Sequence, residues 1–487
     1  MDYPIASPGY VGSVPSYATR RRLRAGYVAV FVVATLAAMP LAWWNFARGA
    51  GLSIKLPHLA WLALMVVVVL ARDLSGIAAL SRTSLRTTLL AFVAMAVVSV
   101  VALAYSDLSV AVPIVAKSLI YFTLFMALAA AVMMLPPTLL ERVSRRSALI
   151  GLAGFLLVAQ LTFMSLGRNF LAEYVQAGLS ANVPALQFTF YPALFNYSDG
   201  TVVTRGDDDF VSTSLRNSLV GSFILYGVLL GAYASVRASL FNRAVRWGLW
   251  SMIALLVALS VSRSNWIAGL LIMGVVGMAT LLPVLRRRRV SLAGVLAATT
   301  ALALLIVAVV LSLESWAALL DAASERLSTL SEDGRLSMYA DALRAISSQG
   351  AVFGHGVGAT IDASGGVPVR VHNFFLALWY EIGLHGLLAG ILFYLSIVIV
   401  WVRAFWGHVT GSRRWADGVS GAWVLALPVL PLFRSLISGG GGGFSPVEWC
   451  CLAFFFAEMA RSRRVRSAGV PRPVTPAAAA GLSGAMR

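Results

Sequence analysis

The sequence predicts an all-α polytopic membrane protein with about twelve membrane-spanning helices, and three observations carry that prediction. Only 12% of the 487 residues are charged, against roughly 25% in a soluble domain. Fully 59% are hydrophobic, with a mean hydropathy of +0.83. Apolar runs recur along the chain, and basic residues cluster between them at every second connection.

Each span follows from a length requirement, since a hydrocarbon core ~30 Å thick needs ~20 apolar residues in a helix. Runs of about that length lie at 26–45, 57–71, 88–105, 111–135, 147–166, 217–236, 244–262, 265–285, 291–313, 372–402, 420–437 and 446–460. With the N-terminus on the cytoplasmic side, four basic residues fall at 20–24 and three each at 72–86, 142–146 and 237–246. A further four fall at 286–289, three at 403–414 and six from 461 onward, so these segments hold 26 of the 38 Lys and Arg. Inner connections rich in Lys and Arg are how a membrane protein sets its orientation. Both ends are therefore expected in the cytoplasm. The first helix reads as retained, because residues 1–24 show no small-residue cleavage site.

The net charge of +18 raises nucleic-acid binding, but the location of the charges assigns them to orientation. Cys450 and Cys451 are the only cysteines. As neighbours in one helical run they point in different directions and predict neither a disulfide nor a metal site. The expected organisation is a cytoplasmic segment 1–25, a transmembrane domain 26–460 and a basic, unstructured cytoplasmic tail 461–487. Two long outer loops, 167–216 and 314–371, interrupt the domain. Long connections tend to be functional or disordered, and both of these show helical periodicity. Leu336, Tyr339, Leu343 and Ile346 in the second, and Phe170, Leu171, Tyr174 and Val175 in the first, read as amphipathic helices.

The residues with chemistry gather on the outer side. His372 and Asn373 open the tenth span, behind a turn containing Gly354, Gly356 and Gly358. Arg335, Arg344 and Arg370 share that loop, and Arg263 sits in the Ser262–Asn265 connection. Charges at membrane depth are costly and mark functional sites. Guanidiniums bind phosphate oxygens in a planar, bidentate way and stay charged. An imidazole can accept a hydroxyl proton near neutral pH. The set suits a phosphate-activated substrate whose leaving group gathers negative charge. No metal or other cofactor is required. The outer carboxylates at 207–209 and 332–333 read as a solvated face.

Those same residues carry a resemblance. SRS at 262–264, DGR at 333–335, FGHGVG at 353–358 and HNFFLALWYEIGLHG at 372–386 resemble the O-antigen ligase and polymerase superfamily. The resemblance implies a bacterial inner-membrane glycosyltransferase of the C-type membrane architecture, with a large periplasmic loop between the ninth and tenth helices. Its donor is a glycan on undecaprenyl diphosphate, and its acceptor on the ligase branch is lipid A–core. It implies a metal-independent, inverting reaction in which His372 activates the acceptor and Arg263 and Arg335 hold the diphosphate. Arg205-Gly206 resembles an element that opens this part of the family, although Asp207–Asp209 depart from the pattern.

Each candidate has a plainer reading. His372 can cap a helix, Arg263 can snorkel to the interface, and Arg335 can pair with Glu332 or Asp333. Asn373 reads as a cap or an orienting group, and Arg370, Arg205 and Arg216 as substrate contacts. Lys117 and Arg434 stand evenly between packing and ligand contact. His355 reads as structural, and His385 as packed within its helix. Polymerase and protein-acceptor transferase readings stay open, as does a lipid-linked-glycan flippase or transporter.

Overall fold

The computed structural model describes residues 17–41, 45–49, 52–70, 85–165, 167–180, 182, 208–234, 239–260, 262–288, 335–350, 352–362, 368–369, 371, 373–437 and 444–467. Its elements begin with α1 (Tyr17–Ala37), the strands β1 (Asn45–Gly49) and β2 (Leu52–Lys55), α2 (Leu56–Leu70) and α3 (Leu85–Ala102). They continue with α4 (Leu108–Met134), α5 (Pro137–Ser165), α6 (Phe170–Leu179), α7 (Asp208–Ala232), α8 (Leu240–Leu259) and α9 (Arg263–Arg288). After α10 (Arg335–Ala345) come the strands β3 (Ile361–Asp362) and β4 (Pro368–Val369). The chain then forms α11 (Phe374–Ile382), α12 (Leu384–Val409), α13 (Gly421–Ala426), α14 (Val429–Ile437) and α15 (Pro446–Ser467).

Among the described residues, five helices are long and apolar enough to cross a membrane, with four shorter apolar helices beside them. The long ones are Leu85–Tyr105, Leu108–Met134, Pro137–Ser165, Ser264–Arg286 and Leu384–Val409. The protein is thus a helical, multi-pass membrane protein. The expected ninth span at 291–313, the loop segment 314–334 and the tail beyond 467 lie outside the described residues.

The core is built around α4 and α15. Ala127, Ala129, Ala130 and Ala131 are buried on α4, as are Cys450, Ala453 and Ala457 on α15. Small side chains let helix backbones approach closely where lipid leaves no hydrophobic driving force between helices. An aromatic cluster seals the other half, with Phe92 stacked on Phe122 at 3.8 Å and Trp449 edge-on to Phe444 at 5.4 Å. At the basic end of the bundle, Arg461 pairs with Glu458 and donates to the carbonyls of Val132 (2.6 Å) and Leu135 (2.8 Å). It thereby caps the C-terminus of α4, while Tyr233 donates to Glu458 at 2.9 Å.

Several expected boundaries differ. The span at 372–402 is two helices, because Gly383 adopts φ +84° and ends α11. The span at 420–437 breaks at Leu427-Pro428, where proline cannot donate to the helical ladder. The basic cluster at 142–146 belongs to α5 itself, which Pro137 starts at a position where no N–H is needed. Two short antiparallel ribbons, β1–β2 and β3–β4, supplement the helices. The amphipathic segments expected at 170–175 and 336–346 form α6 and α10. Asn169 caps α6, and the carboxyl of Glu173 is held below its usual range by hydrogen bonds from Arg168.

Candidate active site

The end of the bundle opposite Arg461 holds the starts of α9, α10 and α11. Its centre is α11, a helix of nine residues that is held at both ends. At the N-terminus, Asn373 Oδ1 accepts from the backbone N–H groups of Phe375 (3.0 Å) and Leu376 (3.1 Å). Its Nδ2 donates to the carbonyl of Leu436 at 2.8 Å, tying the cap to the last turn of α14. At the C-terminus the glycine turn supplies the missing donors. His355 N–H meets the Tyr380 carbonyl at 2.8 Å, and Gly356 N–H meets that of Glu381 at 2.9 Å. A helix end leaves such carbonyls without an internal partner, so the turn acts as a cap.

Glu381 completes the fixture. It is 2% exposed, and its Oε2 accepts from Gly358 N–H at 2.8 Å. Ser106, in the α3–α4 connection, accepts from Val357 N–H at 2.8 Å, and Tyr105 donates to the Ile382 carbonyl at 3.3 Å. The close approach demands glycine at two points. A Cβ on Gly354 (φ +77°) would lie 2.5 Å from Gly383 N, and one on Gly383 would lie 2.1 Å from the Val352 carbonyl oxygen. Neither position tolerates a side chain.

The expected site residues divide by how far they are described. His372, Arg370 and Arg205 lie outside the described residues, although 372 directly precedes the Asn373 cap. Arg263 and Arg335 are the first residues of α9 and α10, and Arg216 lies in the first third of α7; only their backbones are described. The α9 start is tightened by Ser262, whose hydroxyl accepts from Asn265 Nδ2 at 2.8 Å. Positions 263 and 335 therefore each sit at a helix N-terminus, where aligned N–H dipoles favour an anion. α10 packs on α11, α14 packs on α11, and α9 packs on α13 and α14.

The remaining three are described in full. Asn373 is the cap of α11. Arg434 is 4% exposed, with Nε 3.3 Å from Glu448 Oε1, and it presses against α7 so that a Cβ on Gly221 would lie 2.7 Å from Nη1. Lys117 is exposed, its Nζ 5.7 Å from the Tyr121 ring centroid, and Tyr121 also neighbours the His58 ring at 5.9 Å. His355 stacks on Tyr380 at 4.5 Å, a packing role. His385, expected to be packed, is instead exposed on the first turn of α12, because the break at Gly383 re-aims that helix.

Sequence reasoning assigned no role to Glu381, Ser106 or Glu448. Glu381 and Glu448 carried a usable signal, an acidic residue within an apolar run. Ser106 carried none, since its partner is 251 residues away. Beside this fixture opens a mostly apolar cleft with an empty volume of about 620 Å³, lined by Phe92, Ala96, Ser118, Val357, Glu381 and Phe393 among others.

A family model described as O-antigen ligase matches residues 247–391. This stretch is similar to the O-antigen ligase family, a match that covers 145 of the 487 residues. A comparison with curated proteins finds no match. The O-antigen ligase region runs from within α8 to within α12 and takes in Arg263, Arg335, His372, Asn373 and the whole glycine turn. The family match and the helical, multi-pass fold support a membrane glycosyltransferase of the O-antigen ligase or polymerase type.

Proposed function

We propose that the protein transfers a glycan from undecaprenyl diphosphate to an acceptor hydroxyl at the periplasmic face of the inner membrane, with lipid A–core as the acceptor. The observation that carries this reading is the two-ended anchoring of α11, which fixes the backbone immediately after His372. Around it we read a twelve-helix core with both ends cytoplasmic, a periplasmic loop at 314–371 and the transmembrane domain at 26–460.

The acceptor hydroxyl attacks the anomeric carbon while the bond from that carbon to the diphosphate oxygen breaks. A single displacement inverts the anomeric centre. His372 takes the hydroxyl proton, and Arg263 and Arg335 stabilise charge on the departing diphosphate as preorganised donors. Two guanidiniums suffice for that charge, so the reaction runs without a metal. Arg205, Arg216 and Arg370 contact the donor at the rim. Arg434, buried beside Glu448, supports the end of α14 to which Asn373 is tied. The isoprenoid chain lies in the apolar cleft beneath the glycine turn.

Reconstitution in liposomes with a lipid-linked glycan and lipid A–core tests this reading. Wild type is expected to form the joined product, and His372→Ala to lower the rate by at least ~10²-fold while folding normally. Product only on a second lipid-linked glycan indicates the polymerase reaction. Movement of the donor across the bilayer without a new glycosidic bond contradicts the transferase reading.

A further inference from the structure

A second pocket, lined largely by polar side chains, lies at the basic end of the bundle, far along the helices from the Ser262–Asn265 and glycine-turn motifs. It has an empty volume of about 230 Å³ and is enclosed by three helices. Glu141, Ser144 and Arg145 come from α5, Leu229 and Leu230 from α7 with Tyr233 just beyond it, and Asn242 and Arg246 from α8. Arg145 and Arg246 are both half-buried. Among the described residues neither has an ion-pair or hydrogen-bond partner. The Tyr233 hydroxyl is already committed to Glu458.

Two half-buried guanidiniums lining one pocket suit an anion, because Arg presents a planar fork of donors that carboxylate or phosphate oxygens complete. Glu141 lines the same pocket but lies beyond salt-bridge distance of both, and Arg142, Arg146 and Arg243 keep the surroundings positive. Below Arg145 the same face of α5 is apolar and outward-facing for four turns. Leu149 (52% exposed), Ala153, Leu157 (60%) and Leu161 (55%) follow it at helical spacing. A charged pocket at the top of an exposed apolar stripe matches a molecule with an anionic head and a hydrocarbon tail.

We propose that this pocket binds the phosphate of an anionic phospholipid from the leaflet at the basic end, with an acyl chain lying along the α5 stripe. Basic pockets between transmembrane helices on the cytoplasmic side are suited to such headgroups. The ligand class is a phosphodiester, and the attached chains separate it from free phosphate.

The purified full-length protein, in a mild detergent, is titrated with phosphatidylglycerol, phosphatidylcholine or inorganic phosphate. Thermal unfolding and native mass spectrometry read the binding. Phosphatidylglycerol is expected to raise the unfolding midpoint and to remain bound, while phosphatidylcholine and inorganic phosphate do neither. The double variant Arg145→Gln, Arg246→Gln is expected to weaken phosphatidylglycerol binding at least tenfold, and Arg142→Gln, Arg146→Gln to leave it unchanged. An equal response to phosphatidylcholine, or undiminished binding by the double variant, overturns the proposal. A shift produced by inorganic phosphate alone overturns the lipid assignment. Should the double variant fail to fold, wild type decides: binding must weaken as salt is raised, and salt-independent binding overturns the site.

Discussion

At the scale of single residues, the candidate site is a matter of anchoring. Asn373 was legible as a cap because a short polar residue stands directly before an apolar helical run. Its second bond, to the Leu436 carbonyl, was not legible, since nothing local marks a partner 63 residues away. Glu381 stood out as an acidic residue in an apolar run, but its partner, a backbone N–H 23 residues upstream, did not. If Glu381 positions the turn, Glu381→Ala leaves the Gly358 donor buried and unsatisfied, at a cost of ~1–3 kcal/mol. Glu381→Gln keeps an acceptor oxygen and is expected to recover most of the loss, as thermal unfolding in detergent reads it. Full stability in the alanine variant contradicts that role.

Arg434 belongs to the same scale. A buried pair broken on one side costs more than a pair replaced together, typically ~3–5 kcal/mol for the single break. Arg434→Met is therefore expected to destabilise strongly, and adding Glu448→Gln to restore part of the loss. A double-mutant cycle on unfolding midpoints measures the coupling. If instead Arg434→Met folds like wild type and loses only donor affinity, the guanidinium is a ligand contact.

At the scale of elements, the glycine turn and α11 behave as one unit. The sequence shows three glycines in five residues before a helix, and flexibility is the natural reading. The structure shows the opposite use, a tight stacking of backbone on backbone that closes the end of α11. The split at Gly383 was hidden because a glycine inside an apolar run carries no visible sign of its dihedral angle. Gly383→Ala meets both the positive φ and the Val352 carbonyl at 2.1 Å. It is expected to lower the unfolding midpoint and to reduce turnover by more than it raises donor KM, because it moves the helix that follows His372. A change confined to KM contradicts that coupling. The start of α5 shows another limit of sequence reading: three arginines looked like a loop, but Pro136-Pro137 begins the helix before them.

At the scale of the whole molecule, the membrane character was the most legible feature, because bilayer thickness imposes a length that composition alone reveals. Nine of the expected apolar runs recur among the described helices as five long and four shorter apolar segments. The packing of helices far apart in the chain was the least legible. Positions 263 and 335 lie 72 residues apart, yet each begins a helix, and those helices pack through α14 and α11. The proposed reaction requires that Arg263, Arg335 and His372 meet at one pocket. A cryo-electron microscopy structure of the His372→Ala protein with undecaprenyl-diphosphate-linked glycan bound tests it most directly. The account predicts the diphosphate within hydrogen-bonding reach of the guanidiniums of Arg263 and Arg335, with the anomeric carbon facing position 372. A diphosphate bound at the basic end of the bundle, or out of reach of both arginines, contradicts it.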